Sequence, residues 1–547
     1  MADSLVDEVA FRTLTADQLV VLATYGTEMV SADGDVLFSE GDAAYDLIVV
    51  LEGRADIVRR SWQGTEAPIA TYGSGGFLGE LSLLTGQRPN LTARTVGPGR
   101  VLRVPVESFR RLLDRETDIA DLIIAAFIAR RRRLEEGEGA HTLELLGSGF
   151  SPESAALLHF VRRNELPHVW TDLDDVEDPP ALLASWGAHP ADAPVVVTPT
   201  RVMRRPTPGE LAEHLGLTYR PQPGRTFDLT VIGAGPAGLA GAVYGASEGL
   251  DVVVLDVTGV GGQAGTSSRI ENYLGFPGGV SGEELTSLAS VQAQRFGARI
   301  ATPCGVAGIE LHGSFFVVTL SDGSQVPTRA VLVATGARYR KLALDGWEDL
   351  EGRGIYYAAT AIEARTCFGS EAVVVGAGNS AGQAALFLAG SGATVTMVIR
   401  GPSAVSSMSH YLLDRIESHP HIQVLTRSEV VAVVPVDGHL SEVRIRTEEE
   451  EATRPCRALF CFIGADPEAD WLPADVARDR SGFVLTDRDV DMAEGDAPRL
   501  PFETSLRGVF AAGDCRFGSM KRVAAAVGEG SSSIRSVQQY LTAARHA

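Results

Sequence analysis

Two glycine-rich turns in the C-terminal half of this chain have the residue types and spacing to hold the pyrophosphates of two dinucleotides: Gly233-Ala-Gly-Pro-Ala-Gly238 and Gly376-Ala-Gly-Asn-Ser-Ala381. Glycine at such positions lets backbone N–H groups and a helix N-terminus approach a phosphate with no side chain in the way. The residue that ends the next apolar strand then reads the ribose. After the first turn it is Asp256, a carboxylate able to accept from ribose hydroxyls. After the second it is Arg400, a cation suited to a 2′-phosphate, which favours NADPH over NADH. Two dinucleotides on one chain imply electron transfer from one to the other.

Each turn needs a strand before it and a helix after it, and the sequence supplies both. The apolar run Thr226-Phe-Asp-Leu-Thr-Val-Ile232 leads into the first turn, the small residues of 239–248 predict the helix, and Asp251-Val-Val-Val-Leu255 predicts the next strand. Glu371-Ala-Val-Val-Val375 and Thr394-Val-Thr-Met-Val-Ile399 frame the second turn in the same way. Three more segments belong to the pattern: Gly261-Gly-Gln263, Val331-Leu-Val-Ala-Thr-Gly336 and Gly508-Val-Phe-Ala-Ala-Gly-Asp514.

At 547 residues the chain is too long for one hydrophobic core, and roughly three to five domains are expected. Its 48 basic against 70 acidic residues give a formal charge of -22, which excludes a general nucleic-acid binder. The local exception, Arg130-Arg-Arg-Arg133, reads as the solvated end of a helix. No apolar run approaches the roughly 20 residues of a membrane helix, and the N-terminus has no signal-peptide pattern, so a cytoplasmic protein is expected. Cys304, Cys367, Cys456, Cys461 and Cys515 form neither a Cys-x-x-Cys pair nor a metal-ligand spacing. Reduced thiols and no metal site are expected.

Residues before 105 alternate short apolar strands with glycines, as a small β-barrel does. With Phe38-Ser-Glu-Gly-Asp42 and the segment Phe77-Leu-Gly-Glu-Leu-Ser82, residues 10–135 resemble the cyclic-nucleotide-binding domain. The resemblance implies a pocket in which Gly79, Glu80, Leu81 and Ser82 meet the ribose and cyclic phosphate, with Arg88 as the candidate phosphate partner. Arg88-Pro-Asn-Leu91 departs from the family's Pro-Arg-Ser/Ala-Ala order, so cyclic-nucleotide binding and a differently tuned pocket both stay open. The helical spacing of 106–136 continues the domain. No second helix-turn-helix comes after it, which removes the DNA-binding version of this architecture.

Residues 141–217 carry a β-α-β pattern that resembles a thioredoxin or glutaredoxin fold, with Pro194 at that family's cis-proline position. Ser151-Pro-Glu-Ser154 stands where its Cys-x-x-Cys would be. A docking or spacer domain without redox chemistry is implied.

Residues 226–547 resemble the low-molecular-weight thioredoxin reductases and their FAD-dependent pyridine-nucleotide relatives. The resemblance implies that Gly233, Gly235, Pro236, Ala237 and Gly238 cradle the FAD pyrophosphate and Asp256 holds its adenosine ribose. Gly262, Gln263, Asn272, Thr335, Gly336, Gly513 and Asp514 would lie along the rest of the cofactor. Lys521, Arg522 and Val523 would open the helix that faces the flavin, with Arg522 in place of the family's glutamine. Gly376, Gly378, Asn379, Ser380, Ala381 and Arg400 would hold NADPH. That family reduces a disulfide in a Cys-Ala-Thr-Cys segment, but here the segment is Ala358-Ala-Thr-Ala361. With no dithiol there, no side chain is assigned as catalytic.

The expected fold class is multidomain, α/β and β. It comprises a cyclic-nucleotide-binding β-roll with its helix (1–138), a thioredoxin/glutaredoxin-like domain (139–220), and Rossmann-like FAD (226–343 and 464–547) and NAD(P)H (344–463) domains. The expected function is hydride transfer from NADPH to FAD and on to an unidentified acceptor, in a homodimer with a cyclic nucleotide as candidate regulator. Two rivals are a thioredoxin-disulfide reductase using other cysteines and a nucleotide-sensing scaffold flavoprotein.

Overall fold

The computed structural model describes residues 8–546 apart from 43–44, 61–65, 81–82, 84–87, 90, 137–142, 165, 199, 222–223, 268, 358, 360, 405–407 and 492–496. It divides into two compact units, one of Met1–Ala234, Leu239–Val260 and Ser287–Val331, the other of Gly235–Gly238, Gly261–Thr286 and Leu332–Ala547.

The first unit begins with a β-roll of six strands: β1 (Thr27–Ser31), β2 (Val36–Phe38), β3 (Leu47–Arg60), β4 (Glu66–Tyr72), β5 (Phe77–Leu78) and β6 (Thr92–Val104). Strands β3 and β6 pair antiparallel along most of their length, from Leu47↔Val104 to Val58↔Thr92. Helices α1 (Ala16–Ala23), α2 (Val106–Arg115) and α3 (Thr117–Glu136) flank it. Helix α1 is fixed by a capping box between Thr15 and Gln18. On α3, Ile119, Ile123, Ala126 and Phe127 are buried, and the same three-to-four-residue phase carries Arg130 inward. The run 130–133 is therefore not a wholly solvated helix end: Arg130 is only 7% exposed, because helical geometry sets its direction before its charge does.

A second layer follows, with β7 (Leu143–Gly147), α4 (Pro152–Arg163), β8 (His168–Asp172), α5 (Pro179–Ser185), β9 (Val195–Val197), β10 (Val202–Arg204) and α6 (Pro208–Leu215). The strand order is β10-β9-β7-β8, with only β7 and β8 parallel. The Ala193–Pro194 peptide bond is cis. The buried Asn164 ties this layer to the segments that carry Thr258 and Thr302: Nδ2 donates to Phe160 O and Thr258 O, and Oδ1 accepts from the Thr302 hydroxyl. Arg163 donates to Val260 O at 3.2 Å.

Next come β11 (Phe227–Ile232), α7 (Pro236–Ser247), β12 (Val252–Leu255), α8 (Gly282–Arg295), β13 (Arg299–Ala301), β14 (Val306–His312), β15 (Phe315–Leu320) and β16 (Gln325–Val333). Their sheet runs β13-β12-β11-β16-β15-β14. Strands β11, β12 and β13 are parallel, and β12 is apolar and buried throughout, as a strand covered on both faces requires. Val291 of α8 joins the apolar core of the β-roll.

In the second unit, β17 (Ala337–Tyr339) and β26 (Ala465–Pro467) pair antiparallel, flanking an inserted layer. That layer holds β18 (Ile355–Tyr356), α9 (Ala361–Thr366), β19 (Glu371–Val375), α10 (Asn379–Gly390), β20 (Thr394–Val398), α11 (His410–Glu417), β21 (Ile422–Leu425) and β25 (Ala458–Cys461). The parallel sheet has order β18-β25-β19-β20-β21. An antiparallel meander of β22 (Glu429–Val436), β23 (His439–Arg446) and β24 (Glu451–Pro455) stands beside it. The unit ends with β27 (Val509–Ala511) and the long helix α12 (Val523–His546).

Candidate cofactor and ligand sites

In the first unit, Gly233 continues from β11 with φ of 108°, and its N–H donates to Leu255 O at 2.7 Å. Asp256, at the end of β12, accepts from Ala234 N–H at 2.8 Å through Oδ2 and from the N–H groups of Thr258 and Gly259 through Oδ1. The carboxylate thus fixes the turn.

In the second unit, the start of α7 lies against glycines from distant segments. A Cβ on Gly262 would come 2.8 Å from the Cα of Gly235, and one on Gly513 would come 2.8 Å from the Cβ of Ala237. A Cβ on Gly530 would collide with Ala237 O. Gly262 and Gly513 have φ of 52° and 78°, where an L-side chain adds strain of roughly 1–2 kcal/mol. Glycine on every facing surface keeps the backbone N–H groups around Pro236 and Gly238 within reach of a pyrophosphate, so these residues fit a dinucleotide.

The loop that carries Asp514 is clamped from α12. Glu529 accepts from Gly513 N–H at 2.8 Å and forms a two-point pair with Arg516, Nε to Oε2 at 3.0 Å and Nη2 to Oε1 at 2.8 Å. Burial acts to raise the Glu529 carboxyl, but the Arg516 guanidinium and the Gly513 N–H outweigh it and hold it below the usual range. Burial raises the Asp514 carboxyl despite Lys521, whose ammonium donates to Asp514 O. Gln263 donates to Ala337 O, and Thr335 donates to Glu468 O at 2.6 Å while Gly336 O accepts from Glu468 N–H. Asn272 is exposed, as are Lys521 and Arg522, which precede Val523 at the start of α12.

At the second turn, Gly376 has φ of 142°, and a Cβ there would collide with Phe462 O. Gly378 caps α10 without a side-chain bond, so the first-turn N–H groups face no capping oxygen of its own. Asn379 accepts from Ser409 N–H at 2.8 Å, Ser380 is exposed, and Ala381 is fully buried. The guanidinium end of β20, Arg400, is exposed; the backbone of Arg427 donates to Gly401 O, and its side chain pairs with Glu448.

No sulfur is placed for exchange. Ala358 and Thr360 lie outside the described residues, and Ala359 is buried. All five cysteines are free and buried. Burial pushes the thiols of Cys304, Cys367, Cys461 and Cys515 up to about 11 and Cys456 to about 12. Such a thiol is ionised to roughly one part in ten thousand at neutral pH. In the layer of β7–β10, Ser151 caps α4, and the buried hydroxyl of Ser154 sits near Pro194 and Trp170. Among the described residues, no group of His, Cys, Asp and Glu side chains could hold a metal ion.

Inside the β-roll, a cavity of about 70 Å³ opens to solvent. Glu80 and Gly79 line it with Phe11, Tyr45, Tyr72, Leu91 and Arg130, whereas Leu81 and Ser82 lie outside the described residues. Arg88 is placed elsewhere, in a cleft with Arg201, Arg204, His214 and Arg220, its side chain packed against Gly216. Leu91 lines this cavity and Arg88 does not.

Residues 227–530 match the family model described as pyridine nucleotide-disulphide oxidoreductase. The chain belongs to that family. A second model, the cyclic nucleotide-binding domain, matches residues 29–116. Among curated relatives, the bifunctional thioredoxin reductase/thioredoxin of Mycobacterium leprae is 33% identical over 324 residues, covering 58% of this chain and 66% of that protein. The thioredoxin reductase of Treponema pallidum is 31% identical over 322 residues, covering 58% of this chain and 97% of that protein. Among solved structures, the thioredoxin reductase of Lactococcus lactis matches 58% of this chain and 99% of its own, at 26% identity and a TM-score of 0.53. No helix among the described residues is long and apolar enough to cross a membrane.

For this member of the pyridine nucleotide-disulphide oxidoreductases, four positioning residues escape a reading of sequence. Arg516 and Glu529 carry no local pattern. Asn164 stands at a helix end without any motif, and Arg130 is hidden in a run of four arginines whose only signal is its phase with Phe127.

Proposed function

We propose that the chain is a FAD-dependent, NADPH-preferring oxidoreductase whose electrons leave for an acceptor outside the chain, with no dithiol of its own as relay. The observation that carries this reading is a pyrophosphate cradle built from Gly235–Gly238, Gly262 and Gly513 in a chain whose thiols are all buried. When bound, the two dinucleotides supply hydride transfer from nicotinamide to flavin. The chain's part is positional. Its glycine turns hold pyrophosphate, Asp256 orders the first turn, and the Arg516–Glu529 pair fixes the loop of Asp514. Arg400 meets the 2′-phosphate, and Arg522 stands at the positive end of α12, where a cation and the helix dipole both favour negative charge nearby. The protein is read as a cytoplasmic homodimer. The β-roll is its ligand-binding module, for which the matched domain model makes a cyclic nucleotide the reference ligand.

Anaerobic stopped-flow mixing of the purified protein with NADPH or NADH tests the reading, followed by mixing with a one-electron carrier protein, a quinone, dioxygen or thioredoxin. Bleaching of the flavin absorbance at least tenfold faster by NADPH is expected, with no turnover of thioredoxin. Absence of bleaching would overturn the enzyme in favour of a scaffold flavoprotein. Thioredoxin turnover that survives replacement of all five cysteines would require a direct exit to disulfide, and turnover that depends on one cysteine would reinstate an internal thiol.

A further inference from the structure

We infer that Arg427 is the second cation of the 2′-phosphate site, standing beside Arg400 at the end of the neighbouring strand, and that Glu448 is the counter-ion it gives up when the phosphate arrives. The inference rests on the reading of NADPH as the preferred donor and adds a specificity residue to it.

A phosphate monoester carries close to two negative charges at neutral pH, which one exposed guanidinium balances only in part. The chain that follows Arg400 offers no second cation: from Gly401 to Asp414 there is neither lysine nor arginine. The sheet offers one instead. Strands β20 and β21 run parallel and pair Val398 with Leu425, so Arg400 and Arg427 each stand two residues past the same pair. The register holds beyond the strands. Ile399 N–H donates to Leu425 O at 2.8 Å, Arg427 N–H donates to Gly401 O at 2.9 Å, and Ser428 N–H donates to Ile399 O at 3.0 Å. These bonds hold Arg427 at φ of 49°, a conformation that a bulky residue adopts rarely. Neighbouring strands lie about 4.8 Å apart, so the two arginines stand side by side at the carboxyl end of the sheet, the edge at which dinucleotides bind in such folds.

The guanidinium of Arg427 is only lightly committed. Its Nη1 lies 3.2 and 3.1 Å from the two carboxylate oxygens of Glu448, while Nε and Nη2 have no hydrogen bond among the described residues. The two side chains are 57% and 63% exposed, and an ion pair so open to water contributes little. A phosphate brings more charge and more acceptor oxygens than this carboxylate, and it can take two guanidinium N–H groups at once. Glu448 lies in the turn between β23 and β24, so it competes with the phosphate for Arg427 without belonging to the nucleotide-binding sheet.

Isothermal titration of the full-length, FAD-loaded protein with NADP+ and with NAD+ tests the inference. The parent is expected to bind NADP+ at least about tenfold tighter than NAD+, with the preference shrinking as salt screens the exposed arginines. Arg427→Met is expected to weaken NADP+ at least about fivefold and to leave NAD+ within about twofold. Glu448→Gln is expected to tighten NADP+ about two- to fivefold, again with NAD+ unchanged. An Arg427→Met protein that keeps the parental preference, or a Glu448→Gln protein with unchanged NADP+ affinity, would overturn the inference and leave the NADPH reading intact. A parent without preference for NADP+ would overturn both. If Arg427→Met loses NAD+ as well, the strand end itself is disturbed, and the Glu448→Gln protein, which keeps every backbone contact of Arg427, decides.

Discussion

Glu529→Gln isolates the clamp that holds the Asp514 loop to α12. The replacement keeps the shape and leaves one carbonyl oxygen for the Gly513 N–H, but it removes the charge that faces Arg516 and turns one acceptor into a donor. The two side chains are 13% and 16% exposed, so the pair is largely withdrawn from water. Removing one partner of a buried pair costs about 3–5 kcal/mol. Arg516 keeps its bond to Phe517 O and its place 5.5 Å from the Phe502 ring, which moves the expectation to the lower end, about 2–3 kcal/mol. For a cooperative unit of about 200 residues this is a fall in Tm of roughly 4–12 °C. The same energy expressed in binding is roughly a 30- to 150-fold loss of FAD affinity if the cofactor itself orders the loop. Thermal melts with and without added FAD separate the two cases. The sign with pH is also fixed. Because the Glu529 carboxyl is lowered in the folded protein, its contribution is complete above the unfolded value of about 4.3 and is lost as pH falls through the folded value. The parent protein is expected to lose stability over that acid range more steeply than the glutamine variant. A variant with unchanged Tm, unchanged FAD content and an identical acid limb would refute the clamp as a source of order.

Gly262→Ala places a Cβ against the Gly235 backbone at positive φ, and purified protein is expected to carry less than a tenth of the parental FAD by absorbance ratio; full occupancy would contradict the cradle. Arg400→Ala is expected to raise the KM for NADPH roughly ten- to a hundredfold while leaving NADH unchanged, and equal effects on both coenzymes would remove its 2′-phosphate role. With all thiols buried, a thiol reagent such as Ellman's is expected to label none of the five cysteines within minutes in native buffer and all five in guanidinium chloride. The Cys367→Ser and Cys515→Ser variants are expected to retain the NADPH-to-dye rate, and a tenfold loss in either would reopen a thiol relay.

The parts of the fold that a backbone must approach closely were legible in the residues themselves. Gly233, Gly376 and Gly513 are needed because no side chain fits or tolerates their conformation, and that requirement is local. The β-roll was legible because its strands alternate with turn residues. The direction of a long side chain was not. Arg130 and Arg131 belong to one run, yet the first is buried under the roll and the second only half-buried, since a helix turns about 100° per residue and only the core decides which face is inward. Arg88 shows the same limit: its guanidinium lies in a cleft with Arg201 and His214, not among the residues that line the cavity of the roll. Asn164 and Glu529 act across gaps of 138 and 16 residues, to Thr302 and Gly513, and their partners have no periodic relation to them.

Asn164 has a consequence for traffic. A thioredoxin fold acts as a courier when a flexible tether lets it leave one protein surface, collect electrons and deliver them at another. In this chain the layer of residues 143–215, whose β-α-β pattern and cis-proline resemble that fold, is tied to the segments beside it by a buried amide that bonds to Phe160 within the layer and to Thr258 and Thr302 outside it. Restoring cysteines at Ser151 and Ser154 would therefore create a stationary dithiol, unable to shuttle until that joint is cut. Loosening the joint with Asn164→Ala is the step that an engineer would have to take first.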